Sequence, residues 1–193
     1  MLRRIIIFSI AIFTSLFSII AAPAFGDSSM DPAVDKVNII NKSDSVQVSF
    51  EVKNAFTKDI EDGIKSGIPT TFTFFIEILQ KQDLWFDEKL AEMTFRHTIK
   101  YDTLKEEYEI VQGEKPQNTM RIKEIEQAKK IMAGGDNIIV KPVTALKKGK
   151  GYQLRIKATL DPVNLPFPLN YMLFFVSFWN YETDWYGKEF VIQ

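Results

Sequence analysis

Between Ala91 and Asp102 apolar and polar side chains alternate strictly, and this pattern constrains the fold more than any other feature of the chain. One set contains Ala91, Met93, Phe95, His97, Ile99 and Tyr101, and the other contains Glu92, Thr94, Arg96, Thr98, Lys100 and Asp102. Successive side chains of a β-strand point to opposite faces of the sheet. The pattern therefore predicts a long strand that is buried on one face only.

Further strands are predicted along the rest of the chain, most of them joined by tight turns. They cover residues 37–40, 46–53, 69–80, 104–111, 137–146, 152–160 and 185–192. Helices are predicted over residues 57–66 and 119–133, the first with Thr57 as its N-cap and Gly67 after its end. Together these elements predict a mainly β chain, an antiparallel β-sandwich of immunoglobulin-like layout with two inserted helices. An α+β arrangement is the alternative.

Residues 1–26 are predicted to direct export. Arg3 and Arg4 precede an apolar run, and small residues follow it. This order is typical of a signal peptide, with cleavage after Ala24 or Gly26. The apolar run is also close to the shortest length of a spanning helix, so an uncleaved N-terminal anchor is the alternative.

The remaining chain is expected to form one domain. Residues 27–35 are polar and are predicted to be a flexible lead-in, and residues 36–193 are predicted to form a single β-sandwich domain. The chain contains no cysteine, which excludes disulfides and thiolate sites. Its formal net charge of -1 does not indicate the basic face that binding to nucleic acid requires. We predict no cofactor and no metal site.

Aromatic residues near the C-terminus are the main candidates for a binding surface, because exposed aromatic side chains often anchor protein interfaces. The candidate interaction patch consists of Phe178, Trp179, Trp185, Tyr186 and Trp85. Burial of these side chains in the core is the alternative.

Several other residues have both a structural and a functional interpretation. His97 is the only histidine and lies on the apolar side of its strand, which favours a hydrogen-bonded core residue over a catalytic base. Asp83, Asp87 and Glu88 flank Trp85 and Phe86, so they form either a solvated rim or a carboxylate pair of the glycosidase type. The basic turn of Lys147, Lys148 and Lys150 is interpreted as a solvated hairpin tip, with a weak contact to anionic headgroups as the alternative.

Several short blocks in order resemble a bacterial exported family catalogued as domain of unknown function 4390. They are residues 66–69 (SGIP), 85–89 (WFDEK), 96–97 (RH) with Ile99, Tyr101, Leu104 and Tyr108, 165–169 (LPFPL), 178–180 (FWN) and 183–186 (TDWY). The resemblance covers about Val37 to Ile192. It implies a Gram-negative envelope setting and no established activity, so it supplies no catalytic residues.

These observations lead to one functional expectation with two alternatives. We expect an exported, non-enzymatic envelope protein that binds another envelope or membrane protein. It would be periplasmic or otherwise extracytoplasmic, or held at the inner membrane if residues 1–26 are kept, and those residues would then be its only membrane contact. The alternatives are a carrier of an apolar ligand or lipid, which needs an enclosed cavity, and a hydrolase that uses Asp83, Asp87 or Glu88.

Overall fold

The computed structural model describes residues 31–41, 45–82, 86–142, 146–162 and 181–192, and Asp31–Gln193 form one compact unit. Nine strands lie in these described residues: β1 Ala33–Asn41, β2 Val46–Lys53, β3 Thr70–Gln80, β4 Glu88–Asp102, β5 Glu107–Gln112, β6 Thr119–Ile122, β7 Gly134–Val140, β8 Gly151–Leu160 and β9 Tyr186–Val191. Two helices accompany them: α1 Lys58–Lys65 between β2 and β3, and α2 Ile125–Met132 between β6 and β7.

The strands form two antiparallel sheets. The small sheet has the order β1-β2-β7, and the large sheet has the order β6-β5-β4-β3-β8-β9. The inner faces of the two sheets share one hydrophobic core, in which Phe50 of β2 meets Phe74 of β3 edge to face at 5.5 Å between ring centroids. The predicted mainly β, antiparallel, sandwich-like fold with two helices is therefore confirmed.

The predicted alternation explains which side chains fill this core. In β2 the buried residues are Val46, Val48, Phe50 and Val52, and in β3 they include Phe72, Phe74, Ile76 and Ile78. The alternating residues of β4 and β8 face the same core, with Ile99 and Ile156 fully buried. A one-residue shift in any of these strands would expose its apolar set, so the alternation fixes the register of both sheets.

Helix α1 begins and ends where the sequence predicts. The side chain of Thr57 accepts a hydrogen bond from the backbone N–H of Ile60 at 3.4 Å, and this bond satisfies a donor of the first turn. Ile60 and Ile64, one turn apart, are buried. Gly67 follows the helix with φ of +83°, a conformation that glycine adopts without strain.

Helix α2 is shorter than the predicted helix over residues 119–133. Residues Thr119–Ile122 instead form β6, which pairs with β5. The reason is a non-local contact, because Arg121 lies across from two acidic side chains of β5, Glu107 and Glu109, at 3.3 and 3.1 Å. No helix among the described residues is both long enough and apolar enough to cross a membrane.

β1 and β7 begin earlier than the sequence pattern indicates. β1 begins at Ala33, inside the segment 27–35 that was expected to be a lead-in. β7 begins at Gly134 instead of residue 137. A Cβ on Gly134 would lie 2.1 Å from the carbonyl oxygen of Phe50, so only glycine lets these two backbones approach so closely.

The outer strands β1 and β9 lie on the same side of the sandwich. Lys36 in β1 has φ of +50°, and the register with β2 shifts between Asp35 and Asn38. The side chain of Lys188 in β9 reaches across and donates to the carbonyl oxygen of Val37 at 2.8 Å. Thus a side chain links the edge of one sheet to the edge of the other.

Candidate functional site

Trp185 lies immediately before β9 and is 39 % exposed. The guanidinium carbon of Arg155, in the neighbouring strand β8, lies 4.5 Å from the centroid of its ring. Arg155 pairs across the strands with Gly187, which has no side chain, so space remains for the guanidinium to lie over the indole. A cation over an indole face is held by the ring quadrupole.

A buried carboxylate orients Arg155 from the other side. Glu77 of β3 is buried, and its carboxylate lies 3.6 Å from an Arg155 guanidinium nitrogen. The same carboxylate accepts a bond from Lys89 of β4 at 2.7 Å. The hydrogen bonds to Glu77 and Glu92 raise the pKa of the Lys89 ammonium. The indole is therefore positioned by a chain of contacts across three strands of the large sheet.

We call this group the Trp185 surface: Trp185, Arg155, and Gln153, whose side-chain amide lies beside Gly187. A Cβ on Gly187 would lie 3.0 Å from the amide nitrogen of Gln153. Arg155 and Gln153 stand on the regular strand β8, where side-chain positions are more precise than on a loop, and Trp185 directly precedes β9.

Of the other members of the predicted patch, the structure describes only Tyr186. Tyr186, the next residue, points to the opposite face of the strand, where it packs partly buried against the core. Phe178, Trp179 and Trp85 lie outside the described residues. Sequence reasoning selected Trp185 but missed Arg155, whose place on the polar side of β8 was the available signal.

The predicted carboxylate group shows no arrangement suited to acid–base catalysis in its described members. Asp87 and Glu88 are both exposed. Asp87 accepts a bond from the backbone N–H of Gln82 at 3.3 Å, and Glu88 accepts one from the side-chain amide of Gln82 at 3.4 Å. A general acid needs burial that favours its protonated form, and these two side chains lack it. Asp83 lies outside the described residues.

His97 is fully buried, where the sequence pattern places it, and its ring lies 5.1 Å from that of Phe74 and 5.3 Å from that of Phe95, measured between centroids. Its Nε2 lies 2.9 Å from a carboxylate oxygen of Glu114. An ionised carboxylate only accepts hydrogen bonds, so Nε2 carries the proton. Nδ1 is buried with no hydrogen-bond partner among the described residues.

Glu114 is a buried carboxylate that the sequence pattern did not single out as a candidate functional residue. Its side chain is 8 % exposed. Burial alone would raise its pKa, but the hydrogen bond from His97, a backbone hydrogen bond and the nearby Lys115 lower it. The preceding Gly113 brings Glu114 close to β4, because the Gly113 N–H donates to the carbonyl oxygen of Arg96 at 2.6 Å. A Cβ at this position would lie 2.8 Å from that oxygen. The pair ties the loop after β5 to the core.

An open cavity of about 440 Å³ lies between β2, β7, the loop after β5 and helix α2. Phe50, Met120 and Ile131 contribute apolar lining. The remaining lining includes five charged residues: Lys36, Glu51, Lys115, Lys130 and Asp136. A carrier of an apolar ligand would need an enclosed and largely apolar cavity, which this one is not. In the described part of the chain, no three acidic or histidine side chains converge as metal ligands.

Comparison with known proteins gives one match. A family model described as Domain of unknown function (DUF4390) matches residues 30–188. Neither a curated protein nor a solved structure matches the chain. The match covers β1 to β8 and the first residues of β9, including the whole of the Trp185 surface.

Proposed function

The chain belongs to the DUF4390 family, and we propose that it is an exported envelope protein that binds another protein through the Trp185 surface and catalyses no reaction. The observation that carries the proposal is the exposed indole of Trp185, held by Arg155 on a rigid sheet. Tryptophan and arginine are the side chains most enriched among residues that dominate binding energy.

The indole of Trp185 is held in position before any partner binds, and this favours its use as a binding residue. A large side chain that is already held in one orientation loses little conformational entropy when a partner covers it. Arg155 is fixed by the buried carboxylate of Glu77, and it in turn restrains the indole. A partner that covers the pair would also exclude water from the cation–π contact and strengthen it.

Polar groups surround the indole, as expected at an interface rim. Lys157, on the same face of β8 as Arg155, pairs with Glu182 at 2.9 Å. This ion pair is partly exposed, so it would contribute to partner selection more than to affinity.

Export is supported by residues 1–26, whose basic start, apolar run and small residues follow the plan of a signal peptide. Fractionation of cells and mass measurement of the intact protein test this part. We expect the protein in the extracytoplasmic fraction, with a mass that shows whether these residues are removed. Recovery in the cytoplasm alone would refute export.

Site-specific photo-crosslinking tests the binding surface. We would place p-benzoylphenylalanine at Trp185 and, as a control, at Leu104, which is 95 % exposed and lies in the turn between β4 and β5. The expected result is one discrete adduct from position 185 and none from position 104. Equal adducts from both positions, or none from 185, would contradict the proposal.

The identified partner then gives a quantitative test. Trp185→Ala should weaken binding by about 2 kcal/mol or more, roughly 30-fold. Leu104→Ala should leave the dissociation constant unchanged. Thermal unfolding of both variants should show that the fold is intact. A dissociation constant for Trp185→Ala within about threefold of the unsubstituted protein would remove the indole from the interface.

A further inference from the structure

Three segments converge at one end of the sandwich. The connection from β3 to β4 begins there, because Gln80 pairs with Tyr152 at the start of β8. The connection from β7 to β8 ends there, and the backbone N–H of Lys81 donates to the carbonyl oxygen of Gly151 at 3.2 Å. β9 ends there too, since Val191 pairs with Gly151.

This end is rich in lysine. We define the basic tip as Phe86 together with Lys81, Lys141, Lys147, Lys148 and Lys150. Within the described residues, Lys81 pairs with Glu189 and the other four lysines take part in no ion pair. The acidic side chains described at this end are Asp87, Glu88 and Glu189, so five ammonium groups face three carboxylates. The described groups therefore carry a net positive charge.

An apolar side chain projects from the same end. Phe86 is 95 % exposed, an arrangement that is unfavourable in water for a phenyl ring. The lysine turn beside it is held firmly, because Leu146 is buried and the Tyr152 hydroxyl accepts a bond from the backbone N–H of Lys147 at 2.7 Å. The lysine turn thus projects from a buried anchor at the same end as the exposed ring.

We propose that the basic tip docks onto an anionic lipid surface, with Phe86 inserted at the headgroup boundary and the lysines around it among the headgroups. Peripheral membrane anchors combine these two elements, an apolar side chain and a cluster of cations. Lysine suits a diffuse layer of negative charge, whereas arginine is preferred for paired bonds to one carboxylate. Every cation of the tip is a lysine.

The tip is a different surface from the Trp185 surface. Trp185 lies six residues before Val191 along β9, which is about 20 Å at the rise of a strand. A tip on the membrane would hold the strands away from the lipid surface and leave the indole free for a protein. The two surfaces can therefore be tested separately, and either can fail without the other.

A local fluorescent reporter tests this inference in the full chain. Since the chain has no cysteine, Phe86→Cys can be labelled at a single position with an environment-sensitive NBD group. Leu104→Cys is the matched control, because Leu104 is equally exposed and lies at the opposite end of the large sheet. Each labelled protein is mixed with phosphatidylcholine vesicles, with or without phosphatidylglycerol.

We expect NBD emission at position 86 to rise and shift to shorter wavelength with phosphatidylglycerol vesicles only, and emission at position 104 to stay constant. Neutralising Lys147, Lys148 and Lys150 to glutamine should weaken the apparent affinity about 100-fold, since each lysine contributes about fivefold. Neutralising Lys58, Lys65 and Lys105 at the other end should have no effect. Raising the salt concentration should weaken the response.

Other outcomes would overturn the proposal. No response at position 86, or an equal response at position 104, would show that the tip does not insert. An equal response to pure phosphatidylcholine would show that the lysines do not select anionic lipid. A response to soluble glycerol phosphate or to polyglutamate that matches the vesicle response would reassign the tip to a free phosphate compound or to an acidic protein.

Discussion

Breaking the buried pair of His97 and Glu114 should cost a large part of the stability of the domain. The substitution is Glu114→Met, which keeps a similar length but removes the acceptor. His97 is fully buried and its Nε2 lies 2.9 Å from the Glu114 carboxylate. In the variant both ring nitrogens of His97 would lack a partner, because Nδ1 already has none in the described part of the chain.

The magnitude follows from burial and geometry. A hydrogen bond to a charged group contributes about 1.5–3 kcal/mol, and a buried polar group left without a partner costs about 1–3 kcal/mol. Only 8 % of the Glu114 side chain is exposed, so solvent screens little of the loss. We therefore expect a loss of about 3 kcal/mol. For a domain of this size that corresponds to a fall in Tm of about 6–12 °C.

Urea unfolding followed by tryptophan fluorescence measures this loss, and a double variant supplies the control. His97→Phe combined with Glu114→Met replaces both polar partners, and a phenyl ring suits the aromatic surroundings beside Phe74 and Phe95. The double variant should recover most of the stability, because apolar replacement of both partners is often neutral or favourable. A single variant that loses less than about 1 kcal/mol would refute the reasoning that the bond is essential.

The same pair gives a pH dependence with a definite sign. Its hydrogen bond and charges hold the pKa of Glu114 below the ordinary 4.5 in the folded state. The stability that this shift contributes is present above pH 4.5 and is lost as the pH falls through the lowered folded-state pKa. The stability difference between the unsubstituted protein and Glu114→Met should therefore shrink in acid below pH 4.5. A difference that grows in that range would contradict this assignment.

Two further substitutions test the packing. Gly134→Ala places a Cβ 2.1 Å from the carbonyl oxygen of Phe50 and should destabilise the domain by about 3 kcal/mol in urea unfolding. Gly149→Ala is the control, because Gly149 lies in open space with φ of +73°, and it should cost about 1 kcal/mol. Equal losses of stability in the two variants would refute the clash at Gly134. Burial raises the pKa of the Tyr181 phenol, and its hydroxyl has no partner among the described residues. Tyr181→Phe should therefore raise stability by about 1 kcal/mol in thermal unfolding. A loss of stability would show that the hydroxyl has a hydrogen-bond partner.

Local patterns predicted most strands well because strands such as β2 and β8 are half-buried, so their alternation records the position of the core. The cap by Thr57 was equally predictable, since it involves residues only three apart. The identity of β6 was not, because four residues carry little periodicity and the strand is favoured by contacts of Arg121 with Glu107 and Glu109 in β5. Its neighbour α2 has helical spacing, and the two patterns merged into one predicted helix.

The sites were less predictable than the strands because they also depend on contacts between residues that are distant in the sequence. Trp185 stands out as a residue type, but its contact with Arg155 depends on the register of β9 against β8. Glu114 lies 17 residues from His97 and reaches it only because Gly113 folds tightly onto β4. The basic tip arises from the antiparallel order of β3, β8 and β9, which brings lysines and Phe86 from separate segments to one end.

The link between β1 and β9 has a consequence for how the protein behaves at high concentration. Open sheet edges can pair with those of other molecules and start aggregation. Here the bulge around Lys36 interrupts the edge of the small sheet, and Lys188, on the inward side of β9, would place a charge against any added strand. A chain without disulfides cannot rely on covalent links to keep its edges closed. These two lysines therefore oppose edge-to-edge pairing of copies through β1 and β9.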